Sequence, residues 1–383
     1  MALLSSGHFA TDLAGGSLPA LLPFLKDKFA LSYTLIGVLV LAFQVTSSLI
    51  QPLFGLWSDR RGAMWLLPTG VALAGVGIAL AADAPSYGLV VAFVLVSGIG
   101  IAAYHPEGSK FAAYVSGRRR ASGMSLFAIG GNMGYGLGPL VTTAIVGSVG
   151  LRGGWFVAAP TFVVAAALLG LLPYLRRFVP DRAAHAAGVG EDRRGAMALL
   201  LGVIACRNVA WFGLVTFVPL WEVSLGHSKA YGNHLLALML LVGGIGTLAL
   251  GPLADRFGRR PVLLASVVAT APLILVFVAL GGVPGAIALA LVGACVVGTF
   301  GVTTVIAQEY LPRHVGMASG LTIGFALGLG GVAAVALGRV ADATSLRTAM
   351  YVCVIAPVVA LAFGAFLPPT RARGRLEPEL VAP

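Results

Sequence analysis

Apolar runs long enough to cross a bilayer follow one another along almost the whole chain, each closed by a short cluster of glycine, proline or charge. A membrane-crossing helix needs about 20 apolar residues. The pattern predicts twelve, at 3–25, 33–57, 64–82, 87–109, 120–147, 154–175, 197–222, 232–254, 261–281, 284–309, 315–338 and 348–367. The predicted fold class is all-α integral membrane. The longest polar interruption, RRFVPDRAAHAAGVGEDRRG, divides an N-terminal six-helix half, 1–175, from a C-terminal half, 197–367, through a linker at 176–196. The stretch 368–383, with four prolines, is expected to be a disordered tail.

Composition agrees and removes other classes. Hydrophobic residues make up 58% of the chain, charged residues 10%, and mean hydropathy is +0.95, against roughly 25% charge in a soluble domain. The formal charge of +11 would point to nucleic acid in a soluble protein. Here the basic residues sit in short loops between apolar runs, so no nucleic-acid partner is expected. The loops and tail on one side hold 18 Lys and Arg, those on the other hold 6, and Arg207 lies inside a span. That bias places both termini, the linker and the tail in the cytoplasm. Cys206, Cys295 and Cys353 lie in apolar helices without disulfide or zinc-site spacing. The opening stretch has no basic segment before its apolar run and carries Asp12, so it reads as the first span and not as a cleaved signal.

One short loop occurs twice, as GLWSDRRG at 55–62 and GPLADRFGRR at 251–260. Its two aspartates are 196 residues apart, 255 minus 59, and the same offset pairs Pro23 with Pro219 and Asp12 with Asn208. Two pseudo-symmetric six-helix halves follow from that register. In each loop an acid and a base, Asp59 with Arg60 and Asp255 with Arg256, follow a glycine, Gly55 or Gly251, at a helix end. Such a pair bonds to a neighbouring helix end and breaks when the halves rock, which makes it a conformational gate. No GxxxxGK[ST] phosphate loop is present, so no nucleotide cofactor is expected, and an ion gradient is the energy source expected for any movement of solute through such a bundle.

Ionisable residues at membrane depth cost about 2.5–3.5 kcal/mol on insertion scales and face a cavity or a partner. Asp12 is at mid-depth of the first span with His8 one turn earlier. The pair either exchanges protons or ties the halves together. The fourth span ends in His105, Pro106 and Glu107, and the tenth carries Glu309 near its end. These carboxylates are either proton-coupling groups or interfacial caps, with Lys110 the partner of Glu107. Arg207, with Asn208 and Trp211, occupies the seventh span; its planar fork suits a phosphonate, phosphate or carboxylate, or it neutralises Asp12. In GGNMGYGLGP, Gly134 and Gly138 permit close helix packing and Pro139 a kink, while Asn132 and Tyr135 face the cavity or bond between helices. Gln44 and Gln51 share one face of the second span and read as structural, and Trp221 and Glu222 as outer-interface residues.

The repeated loop resembles the signature between the second and third helices of each half of the major facilitator superfamily. Gly134, Gly138 and Pro139 resemble the end of that superfamily's antiporter motif, with Ser125 and Thr142–Thr143 where the full motif has glycines. GHFATDLAGGSLPALLPFL, FQVTSSLIQPLFGLWSDR, YHPEGS and AQEYLPRHVGMASG together resemble the fosmidomycin resistance proteins, bacterial drug efflux members of the superfamily. The resemblance implies a twelve-helix major facilitator fold in the bacterial inner membrane, acting as a monomer. It also implies proton-coupled antiport of a small phosphonate antibiotic, and a loop that stabilises the outward-open state. A transporter of a sugar or organic acid stays open on the residues alone, since fold does not fix substrate or direction. A sensor lacks an appended signalling domain in this sequence, and an intramembrane enzyme lacks a nucleophile constellation.

Overall fold

The computed structural model describes residues 1–117, 120–178, 191–314, 317–318, 321–322 and 326–370, with the backbone alone at 59–61, 120–122 and 326–327. Among these residues there are helices and turns and no strand. The first half holds α1 (Ala2–Phe29), α2 (Tyr33–Gln44), α3 (Gln51–Arg61), α4 (Leu66–Asp83), α5 (Tyr87–Ser116), α6 (Arg120–Val149) and α7 (Gly154–Leu175). The second holds α8 (Arg194–Ser224), α9 (Lys229–Phe257), α10 (Arg259–Leu280), α11 (Gly282–Gly298), α12 (Phe300–Tyr310), α13 (Ala326–Ala343) and α14 (Leu346–Ala365). Nine passes among the described residues are long and apolar enough to cross a membrane by themselves; α1, α6 and α13 complete the twelve. Most of the expected linker and tail, 179–190 and 371–383, lies outside the described residues.

Two predicted spans are each built from two helices. Between α2 and α3 the chain opens into a π turn, Val45–Leu49, where the Thr46 hydroxyl donates to the carbonyls of Ala42 and Phe43. Side-chain bonds back onto the preceding turn loosen a helix, and π turns gather at functional sites. Between α11 and α12, Thr299 leaves helical geometry (φ −100, ψ 4). Periodicity shows neither break, although Pro52 in the first turn of α3 stands just beyond the first of them.

The duplication is visible in the caps. Ser32 and Ser228, again 196 residues apart, each accept from the backbone N–H three residues on and start α2 and α9. Gly62 and Gly258 end α3 and α9 with φ of +62 and +98, a backbone region that glycine enters without Cβ strain.

We call the end with the Gly62 and Gly258 loops the basic end and the other the far end. At the far end one apolar core joins the halves, from Leu18, Leu21 and Ile36 to Trp211, Val215 and Met350. Toward the basic end it divides. Leu4, Leu67, Tyr104 and Leu168 form one cluster in the first half, and Leu200, Leu263, Ile306 and Tyr310 another in the second. Bonds between the halves gather at the far end. Asp342 on α13 accepts from the Tyr33 and Thr34 N–H groups (2.8 Å each) and the Thr34 hydroxyl (2.6 Å) at the start of α2. Lys229 pairs with Asp27, and buried Asn233 donates to the Ala20 carbonyl (3.1 Å) and Thr143 Oγ1 (2.8 Å). A bundle tied at one end and divided at the other holds a cleft that opens at the basic end.

Candidate functional site

The cleft's floor is set by how closely α1 and α6 approach. A Cβ on Gly134 would run into the Phe9 carbonyl, and one on Gly138 into the backbone of Gly16 and Leu13. A Cβ on Gly131 would lie 2.7 Å from Asp12 Oδ2. The glycines thus admit two polar side chains between the helices as well as the helices themselves.

Into that space α1 delivers His8 and Asp12 and α5 delivers His105. His8 Nε2 is 3.3 Å from Asp12 Oδ2, His105 Nε2 is 3.2 Å from Asp12 Oδ1, and the two Nε2 atoms are 3.1 Å apart. His8 Nδ1 is 2.8 Å from the Phe127 carbonyl and His105 Nδ1 is 2.9 Å from the Ile101 carbonyl. Carbonyl oxygens only accept, so both Nδ1 atoms carry hydrogen. Each neutral ring therefore turns an Nε2 lone pair toward the other ring and toward a carboxylate. Three acceptors at these separations repel unless a proton lies between them, so the cluster holds at least one. Phe127 stacks on His8 (centroids 4.2 Å apart) and fixes its plane. Among the described residues only these three side chains converge closely enough to hold a metal ion.

Asp12 and His105 open onto a central cavity of about 270 Å³. Its first-half wall is polar, with Gln44, Ser47, Gln51, Asn132 and Tyr135 beside the triad. Its second-half wall is apolar and aromatic, formed by Trp211, Phe212, Leu240, Val297 and Phe300. A larger hollow of about 600 Å³ lies at the basic end between Asp192, Gln308 and Glu309; the triad does not line it. There Asp192 meets His314 and accepts from the Arg313 N–H. Slight burial raises the Asp192 carboxyl, and these hydrogen bonds outweigh it and hold it below the usual carboxylate range. The contact is complete above that range and is lost as pH falls through the lowered value.

The other sequence candidates fall in three places. Trp211, Asn132 and Tyr135 line the cavity, and Gln44 and Gln51, read from sequence as structural, do so too. Arg207 and Asn208 are buried in α8 behind that wall. Arg207 Nη1 donates to Thr299 Oγ1 (2.9 Å), and Asp12 instead meets the histidines. Glu107, 1% exposed, does not join its neighbour His105. Two steps along a helix turn a side chain by about 200°, and Glu107 meets Lys110 (2.7 Å) and Ser58. Glu309 meets Arg259, which also reaches Asp255 (3.6 Å). Each carboxylate is thus bound up with one copy of the repeated loop, and Asp255 pairs with Arg259 rather than Arg256. Gly55 sits beside Pro106 and Gly251 faces open space; the side chains of Asp59 and Arg60 lie outside the described residues. Glu222 pairs with His227 (2.6 Å) at the far end. Sequence reasoning missed Phe300 and Gly131, since nothing distinguishes one Phe or Gly among 19 Phe and 52 Gly. The polar run in FQVTSSLIQ was a readable sign of a cavity wall.

The sequence pattern of the Major Facilitator Superfamily matches residues 4–334 and again 200–381. An uncharacterized MFS-type transporter, YfnC, of Bacillus subtilis (strain 168) is 33% identical over 381 residues, covering 95% of this chain and 91% of the relative. The Fosmidomycin resistance protein of Escherichia coli (strain K12) is 32% identical over 386 residues, covering 96% and 92%. Among solved structures, a point mutant of the nucleoside transporter NupG superposes with a TM-score of 0.77 at 14% identity, over 95% of this chain and 98% of that one.

Proposed function

Because the chain belongs to the Major Facilitator Superfamily, a family of transporters, we propose that it is a proton-coupled secondary transporter exporting a small, anionic, drug-like solute by alternating access. The observation that carries the reading is the His8–Asp12–His105 cluster. It sits at mid-depth of the bundle, it requires a proton, and two of its members face the central cavity. A group that holds a proton on a cavity wall between two rocking halves can take it up from one side and release it to the other.

The excess of Lys and Arg in these loops supports a cytoplasmic basic end in a bacterial inner membrane, and on that reading the divided core is an inward-facing state. In that state solute enters from the cytoplasm. Rocking to the outward-facing state releases the solute outside, where the triad next takes up a proton. The two loop clusters, Ser58–Glu107–Lys110 and Asp255–Arg259–Glu309, serve this cycle as parts of the cytoplasmic gate. Similarity to the Fosmidomycin resistance protein supports a phosphonate as the first substrate to test. The amides and hydroxyls of the polar wall favour a second reading, a hydroxylated metabolite such as a sugar, or an organic acid.

The test is expression in a fosmidomycin-sensitive bacterium. Raised resistance, with proton-driven drug accumulation in everted vesicles and loss of both in Asp12→Asn, is the expected outcome. Unchanged sensitivity together with pH-driven transport of sugars or organic acids would replace drug export by the second reading.

A further inference from the structure

We propose that Arg207 is an occluded anion site and that Phe300 is the shutter between it and the central cavity. The proposal rests on the transporter reading above and names the substrate group that the second half recognises. Arg207 lies near the middle of α8 and is 3% exposed. None of the ion pairs among the described residues includes it. Its Nη1 donates to Thr299, and its Nε has no partner among the described residues. A guanidinium offers five N–H donors. Burying it with an unmet N–H and no counter-charge costs several kcal/mol, which the Thr299 hydrogen bond and the face of the Phe300 ring do not fully offset. An anion would.

The way in is one aromatic ring thick. The Arg207 guanidinium carbon stands 4.9 Å from the centre of the Phe300 ring, and Phe300 itself lines the cavity, as Trp211 does. Trp211 packs edge-on against Phe300 (6.2 Å between ring centres). Cation–π contact partly replaces a counter-ion while the site is empty. Phe300 is the first residue of α12, directly after the break at Thr299 whose hydroxyl holds Arg207. Beside it a Cβ on Gly301 would meet nothing within 4 Å, so the segment has open space on one side. Rotation of one side chain, and not movement of a helix, would put the fork of Arg207 on the cavity wall. The recognised group is a planar or tetrahedral oxyanion, carboxylate or phosphonate, which Arg binds bidentately.

Binding to purified protein, followed by tryptophan fluorescence with benzoate and its neutral isostere benzamide as probes, tests this directly. Wild type should bind benzoate more tightly than benzamide. Phe300→Ala should raise benzoate affinity about tenfold, the scale of one charge-assisted hydrogen bond, while leaving benzamide affinity within about twofold. Arg207→Gln should remove the preference for benzoate, and Arg207→Gln combined with Phe300→Ala should show no gain over Arg207→Gln. Phe300→Leu is the backup should Phe300→Ala unfold, and unfolding temperature is recorded for each variant. Equal gains for both probes would make Phe300 a plain wall, and a benzoate preference surviving Arg207→Gln, or no benzoate binding to any variant, would overturn the proposal. Substrate-driven proton movement in liposomes is recorded on the same proteins. If it persists in wild type while the anion preference fails, only the anion site falls; if it is absent for every solute, the transporter reading falls instead.

Discussion

At the residue scale the account turns on three side chains whose lone pairs meet. His8 and Asp12, one helical turn apart, were readable as a pair in the sequence, and His105 was readable as a polar residue at a proline bend. Their meeting was not, because it depends on how α1 lies against α5 and α6. Gly131 is the residue that makes room, and its role follows only from the 2.7 Å that would separate its Cβ from Asp12. Gly131→Ala should therefore push His8 and Asp12 apart, at an overpacking cost of about 1–3 kcal/mol. Proton movement should fall while the purified variant still elutes as a folded monomer. Full coupling in this variant would show that the cluster tolerates separation and that its geometry is not the source of coupling. Arg207 gives a prediction of the opposite sign. Arg207→Met removes an unpaired buried charge and should leave the unfolding temperature unchanged or raised; a fall of several degrees would mean that Arg207 has a structural partner.

At the element scale the helices follow from length and apolarity, while the breaks follow from local bonds. The bilayer's thickness fixes the length of a pass, which is why the passes were legible from hydrophobic runs. The π turn at Val45–Leu49 and the break at Thr299 are made by hydroxyls bonding back onto carbonyls and, at Thr299, by the guanidinium of Arg207. No periodicity encodes them. The fastening between α13 and α2 is of the same kind: Asp342 satisfies two N–H groups that any helix start leaves unpaired, across the seam between halves. These bonds are exposed to solvent, so together they are worth about 1 kcal/mol. Asp342→Ala should then shift the balance toward the state open at the far end about fivefold. Spin labels at Ser86 and Thr344 would report it as a longer-distance population; an unchanged distance distribution would show that the apolar core and the remaining cross-half bonds hold that end without Asp342.

At the scale of the whole molecule, a core continuous at one end and divided at the other makes a machine with two faces, and the cavity lies where the core divides. The 196-residue offset made the two-half plan legible early, since Asp59 and Asp255, Pro23 and Pro219, and Asp12 and Asn208 all obey it. The asymmetry of the halves was less legible. The first half supplies the polar wall and the His8–Asp12–His105 cluster, the second an aromatic wall with Arg207 behind it, although Asp12 and Asn208 occupy matching positions. Duplication preserves the scaffold and leaves the chemistry of each wall free to diverge.

The most direct test of the central claim compares wild type with Asp12→Asn in liposomes that enclose a pH dye, with fosmidomycin binding to each purified protein measured in parallel. The account predicts that wild type moves protons when fosmidomycin is added, and that Asp12→Asn still binds the drug but moves none. Proton movement of wild-type size in Asp12→Asn would contradict it and take the His8–Asp12–His105 cluster out of the coupling mechanism.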